Sequence, residues 1–218
     1  MADEKLLMTA IRAALRAGAA ILDVYHSDFA VEQKKDNSPL TLADKRAHEI
    51  IVGHLSAFDI PVLSEEGRDI PYRERKDWQS LWIVDPLDGT KEFVKRNGEF
   101  TVNIALVHQG RPVMGVVFVP DRDTLYVAAR DLGSYKLGDK NILERLAANQ
   151  KDAHGVLSLD DIMSQAARLP LVRSKTRPFT IMGSRSHMSK EVEDFVAEKR
   201  RQYGEVTLIC AGSSLKLY

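Results

Sequence analysis

The sequence has a single cysteine, Cys210, so it can form no internal disulfide. That fits a reducing compartment. It also has no excess of charge, because 31 Lys plus Arg balance 31 Asp plus Glu. A neutral chain has no global field with which to hold a nucleic-acid polymer or an anionic membrane surface. Any anionic ligand must be gripped by local chemistry. No run approaches the ~18 apolar residues of a membrane span. The opening "MADEKLLMTAIRAALRAG" mixes acid and base and lacks the apolar core of a signal peptide. There is no G-x-x-x-x-G-K-[ST] loop, and the nearest approach, "GSYKLGDK", puts Asp139 where the lysine must be. That sets aside a P-loop nucleotide hydrolase. No repeat, low-complexity segment, Ser/His/Asp arrangement or Cys/His arrangement is evident. A soluble, cytoplasmic globular protein is expected, with Cys210 a small buried residue at a strand end.

What is there begins with a helical stripe. Leu7, Ile11, Leu15, Leu22 and Tyr25 recur at helical spacing and predict an amphipathic helix over 5–25. Gly18 lies on the same face and would let a neighbouring element pack close. An Asp-Asn-Ser-Pro break follows. A second helix is predicted over 41–58, with Ala43, Ala47, Ile50, Ile51 and Leu55 inward. "IPVLSEEG" reads as a short strand ending in Glu65 and Glu66, and residues 81–84 as another. Two β-rich runs over 100–120 flank "HQGRP", a hairpin signal. "DTLYVAA" extends the same sheet. Helices gathered before an antiparallel sheet argue for an α+β fold and against a doubly wound one. Residues 140–178 show no clear period beyond a helix capped by Ser158 and running to about 168. "FTIMGSRSH" reads as a strand entering a polar loop. "SKEVEDFVAEKR" reads as an exposed charged helix, and "VTLICAGSSLKLY" as a strand feeding a helical turn at 212–214.

The density of acids in "LWIVDPLDGTKEF" is the strongest chemical signal. One strand-end aspartate is ordinary. Here Asp85 and Asp88 lie close together, with Pro86 setting a turn between them. Neighbouring carboxylates repel, and a cation is the usual remedy. Hard oxygen ligands suit Mg²⁺. Gly89 permits close backbone approach, and the Gly89 and Thr90 amides could hold an anionic oxygen. The Thr90 hydroxyl could orient a water. Glu65 stands at another strand end, and Asp44 falls in a helix's first turns. The bland account of Asp44 is an acid favoured by the helix macrodipole.

"SPLTLAD", "LSEEG", "DPLDGTKEFVKRNGEFTVNIALV", "SRSH" and "GSSLK" occur in that order. Together they resemble the inositol monophosphatase superfamily of metal-dependent phosphomonoesterases, in its bacterial 3'(2'),5'-bisphosphate nucleotidase branch. The resemblance runs from the first helix to Tyr218 and is weakest over 140–178, where it implies an insertion. It implies a layered αβαβα sugar-phosphatase fold. A metal and phosphate domain would occupy 1–130, and an incomplete second α/β domain 131–218. Two or three Mg²⁺ ions are implied, held by Glu65, Asp85, the Leu87 carbonyl and Asp88, with Asp85 bridging. Asp44 and Thr90 would orient and activate the attacking water. Gly89 and Thr90 would grip the phosphate. Ser184, Arg185, His187, Ser213 and Ser214 would contact the substrate. The implied reaction turns 3'-phosphoadenosine 5'-phosphate into AMP and phosphate. An inositol-phosphate or sugar-phosphate substrate is the alternative.

For "GSRSH" a polar helix cap is the equal reading, and for "VRSKTRPF" a solvated loop is preferred to contact with a second phosphate. A homodimer, lithium sensitivity and a peripheral place at the inner face of the membrane are compatible with the resemblance. The family's W-D-x-A-A segment, which brings a further metal carboxylate, is not found: Trp78 and Trp82 are the only tryptophans, and neither precedes an aspartate. The C-terminal part of the fold is therefore expected to be missing. On that pattern the polypeptide is expected to bind its second Mg²⁺ poorly and to hydrolyse esters feebly, or to act as a binding module that keeps the fold without catalysis.

Overall fold

In the computed structural model of the chain, the stripe over 5–25 folds as α1 (Glu4–Tyr25), whose buried side includes Leu7, Ile11, Leu15 and Ile21. The Asp3 carboxylate caps it by accepting from the Lys5 and Leu6 amides. The structure describes residues 3–27, 31–33, 39–148, 157–171, 178–185 and 189–217, with backbone only at 31–33 and 39–41. After α1 come β1 (Val31–Gln33), β2 (Pro39–Thr41), α2 (Leu42–Leu55), β3 (Val62–Ser64), α3 (Tyr72–Arg75), β4 (Ser80–Asp88) and α4 (Thr90–Val94). The antiparallel series follows as β5 (Thr101–His108), β6 (Arg111–Val119), β7 (Thr124–Ala129) and β8 (Gly133–Leu137). Then come α5 (Lys140–Ala148), α6 (Leu159–Gln165), β9 (Ala167–Arg168), β10 (Phe179–Ser184), α7 (Lys190–Tyr203) and β11 (Val206–Ala211). A 3₁₀ turn, Ser213–Leu217, ends the described chain.

Strands β3 to β9 form one seven-stranded sheet in sequence order. Only β3 and β4 pair in parallel there; each later pair is antiparallel. The α+β expectation therefore holds. Helices α1 and α2 pack on each other and cover β4, β5 and β6. Gly18 permits this approach, since a Cβ there would lie 2.4 Å from Phe118 Cε1. Trp82, Phe93, Phe100 and Leu125 are fully buried in the resulting core. Strands β10 and β11 form a separate parallel pair. Helix α7 covers it through Val196, which packs with Ile181 and Val206.

Three expectations need correction. The strand predicted over 81–84 continues to Asp88, so Pro86 sits inside β4 and makes no turn. The ladder shifts register between Asp85 and Asp88. A bulge leaves residues unpaired, which is where a proline without an N–H is tolerated. The stretch after 140 holds α5, which periodicity did not reveal; its Leu143 and Leu146 enter the main core. Cys210 is partly exposed and lies within β11.

Candidate active site

The parallel pairing of β3 with β4 brings the first two acids together. The Glu65 amide donates to the Val84 carbonyl at 3.1 Å, beside Asp85. The His48 ring of α2 and the Ser64 hydroxyl, 2.8 Å apart, tie α2 to the end of β3. Asp44, in the first turn of α2, is only 1% exposed. The helix dipole is worth at most about 2 kcal/mol, so it does not by itself offset the cost of burying a carboxylate.

Asp85 is where the acids act on one another. Burial raises its pKa, and Glu65, Asp88 and Asp44 raise it further, to about 8. A bond to the Leu87 backbone opposes them. Its Oδ1 is buried without a hydrogen-bond partner among the described residues. A buried orphan oxygen inside a group of like charges is the environment a cation relieves. Among the described residues, no three His, Cys, Asp or Glu side chains close around a point as a ready-made cage. Mg²⁺ does not require such a cage, because it keeps several waters and takes one or two carboxylates plus substrate phosphate oxygens. The all-oxygen donor set fits it.

Asp88 is held differently. Its Oδ2 accepts from Ser213 Oγ at 2.5 Å, from the Ser214 amide at 2.5 Å and from Thr101 Oγ at 3.5 Å. Thr101 is fully buried and also bonds the hydroxyls of Ser213 and Ser214, at 3.0 and 2.8 Å. Gly89 follows with φ 95°, and a Cβ there would lie 2.9 Å from the Glu99 carbonyl and 3.0 Å from Ser213 Cβ. The left-handed φ and the close approach both require glycine. Thr90 opens α4, and its hydroxyl donates to the Leu87 carbonyl at 3.4 Å.

The structure thus groups Asp44, Glu65, Asp85 and Asp88 in one field and packs Leu87, Gly89, Thr90, Ser213 and Ser214 around the same turn. Ser184 ends β10. Arg185 forms a two-pronged ion pair with Glu99, at 2.6 and 2.8 Å. A buried carboxylate outcompetes solvent for a planar guanidinium. His187 and the "VRSKT" run, residues 172–176, lie outside the described residues. Sequence reasoning missed Glu99 and Thr101. Both stand in "NGEFTVN", which carried the resemblance, but a lone Glu and Thr offer no pattern of their own.

The model of the inositol monophosphatase family matches residues 2–212. The chain belongs to the inositol monophosphatase family. Within it, the chain is 42% identical over 208 residues to 3'(2'),5'-bisphosphate nucleotidase CysQ of Shigella flexneri, covering 93% of this chain and 71% of that protein. It is 43% identical over 208 residues to CysQ of Salmonella typhimurium, with the same coverage. The crystal structure of CysQ from Bacteroides thetaiotaomicron superposes with a TM-score of 0.83 at 43% identity, over 99% of this chain and 76% of that one. SuhB from Bartonella henselae gives 0.67 at 25%, over 96% of this chain and 71% of that one. The chain is a phosphatase of the inositol monophosphatase type. No helix among its described residues is long and apolar enough to cross a membrane.

Proposed function

We propose that this protein is a Mg²⁺-dependent phosphomonoesterase that converts 3'-phosphoadenosine 5'-phosphate to AMP and phosphate. The observation that carries the reading is Asp85, a half-buried carboxylate with one buried orphan oxygen in the field of three other acids. The nucleotide class is supported by the printed activity of the CysQ relatives at 42–43% identity, against 25% for SuhB. Glu65, Asp85, the Leu87 carbonyl and Asp88 hold the metal in this reading. When bound, Mg²⁺ supplies neutralisation of the phosphate charge, acidification of a water and stabilisation of the departing alkoxide. Thr90 and Asp44 orient the attacking water, and buried Asp44 takes its proton. The Gly89 and Thr90 amides grip a phosphate oxygen at the start of α4. Ser184, Ser213 and Ser214 line the approach of the substrate.

The test is phosphate release by purified protein with Mg²⁺, given the bisphosphate nucleotide and inositol monophosphate in parallel. The nucleotide is expected to turn over faster. Faster hydrolysis of the inositol ester would overturn the substrate assignment.

A further inference from the structure

The backbone of Gly212 lies between two buried acids. Its amide donates to Glu99 Oε2 at 2.7 Å. A Cβ on it would lie 2.5 Å from Glu92 Cγ and 3.2 Å from Glu99 Oε2. Glu92 and Glu99 are 3% and 6% exposed. Besides Gly212, Glu99 takes both prongs of Arg185, and Arg122 Nη2 stands 3.6 Å from its Oε1. Arg185 in turn holds the end of β11. Its Nη2 donates to the Cys210 carbonyl at 2.7 Å, and its amide donates to the Ala211 carbonyl at 3.0 Å. Residues 210 and 211 are thus held by Arg185, just after β10, and residue 212 by Glu99, in the loop before β5. The next residue, Ser213, has φ 53°, a conformation that a side chain disfavours and that its surroundings must impose. From that conformation Ser213 and Ser214 both reach Asp88 Oδ2.

We propose that Glu99 and Arg185 are a positioning pair, which seats the 212–214 turn on Asp88 and so orients the Asp88 carboxylate. Neither residue touches the reacting atoms. The pair acts through the turn: with Oδ2 bonded to Ser213 and Ser214, Asp88 presents a fixed rotamer to the acid cluster. This rests on the phosphatase reading for its consequence, since an oriented Asp88 matters only if it holds a cation. The rival is an ordinary interlayer ion pair that adds stability and nothing else.

The full chain would be prepared as wild type, Glu99→Gln, Arg185→Met and Arg185→Lys, each checked for wild-type far-ultraviolet circular dichroism. Hydrogen exchange followed by mass spectrometry reads the amides at 211–215. Calorimetry with Mg²⁺ alone reads metal affinity, and phosphate release reads turnover. Exchange at 211–215 is expected to accelerate in Glu99→Gln and Arg185→Met while β4 to β7 keep wild-type protection. Mg²⁺ affinity and turnover are expected to fall about 10- to 100-fold, the range for residues that orient metal ligands. Arg185→Lys should recover part of both losses, because it keeps the charge and loses the fork. Unchanged exchange at 211–215 with a lowered melting temperature would overturn the proposal and leave the rival standing. If the wild type releases no phosphate, the functional reading fails, and the exchange pattern alone decides whether the pair seats the turn.

Discussion

The residue on which the proposed chemistry rests is Asp85. Its neighbours are acids, so neutralising it costs the metal-free fold little. Asp85→Asn is expected to reduce turnover by at least about 100-fold, beyond the range for an orienting residue. Its melting temperature without Mg²⁺ should stay at or above that of the wild type, because folding no longer has to neutralise a carboxylate at that position. Added Mg²⁺ should raise the melting temperature of the wild type and not of the variant. Thr90→Ala should separate from it, retaining Mg²⁺ binding by calorimetry while losing turnover. A second prediction concerns Glu99. The hydrogen bond from Arg185 holds its pKa below the usual glutamate range; the Gly212 amide and the Arg185 and Arg122 charges assist, and burial opposes them. A depressed folded-state pKa gives stability that is fully present above the unfolded value and lost as pH falls through the folded one. Urea midpoints of the wild type should therefore decline below about pH 4.5 more steeply than those of Glu99→Gln. Equal slopes would remove Glu99 from the acid-side instability.

At the scale of elements, α1 packs closely on β6 at Gly18. Alanine at position 18 would gain about 1 kcal/mol in helix propensity, but overpacking a core costs about 1–3 kcal/mol. The clash wins, because Phe118 is 5% exposed and has nowhere to turn, with Pro120 Cγ also 3.2 Å from the new Cβ. Gly18→Ala should lower the unfolding free energy by about 1 kcal/mol, read from a urea titration at constant m. A stabilised variant would mean that the helix and sheet separate at little cost. The sequence periodicity had already placed Gly18 on the packing face of its helix. The partner ring was invisible, because Phe118 is one of several apolar residues in β6 and nothing local says which one meets α1.

Across the whole molecule, the apolar core is unevenly distributed. The main cluster spans α1, α2, β4 to β8, α5 and α6. The β10–β11 pair with α7 has a small cluster of its own, Ile181, Val196 and Val206 with Leu208 packed against them, while Ala211 of β11 packs with Val119 and Leu215. Two strands with one helix hold their amides less firmly than a seven-stranded sheet. Native-state hydrogen exchange should show β10 and β11 opening at lower free energy than β4, β5 and β6. A common opening free energy for both sheets would contradict this. Mg²⁺ should protect the 213–214 amides selectively, since those residues bond a proposed metal ligand.

The elements were legible because helix and strand periods are local properties. The stripe of α1, the hairpin about "HQGRP" and the strand-to-turn change at "ICAGSS" each follow from residues a few positions apart. The acid-rich turn was legible for the same reason, with Asp85, Asp88, Gly89 and Thr90 within six residues. What only the tertiary structure decided involves residues far apart in sequence. Pairing of β3 with β4 sets Glu65 beside Asp85. Packing of α2 buries Asp44 and brings its charge to bear on Asp85. The ion pair from Glu99 to Arg185 spans 86 positions, and the bond from Asp88 to Ser213 spans 125. Local pattern carries no information at such separations; they are set when apolar faces are buried against one another, and the polar groups follow.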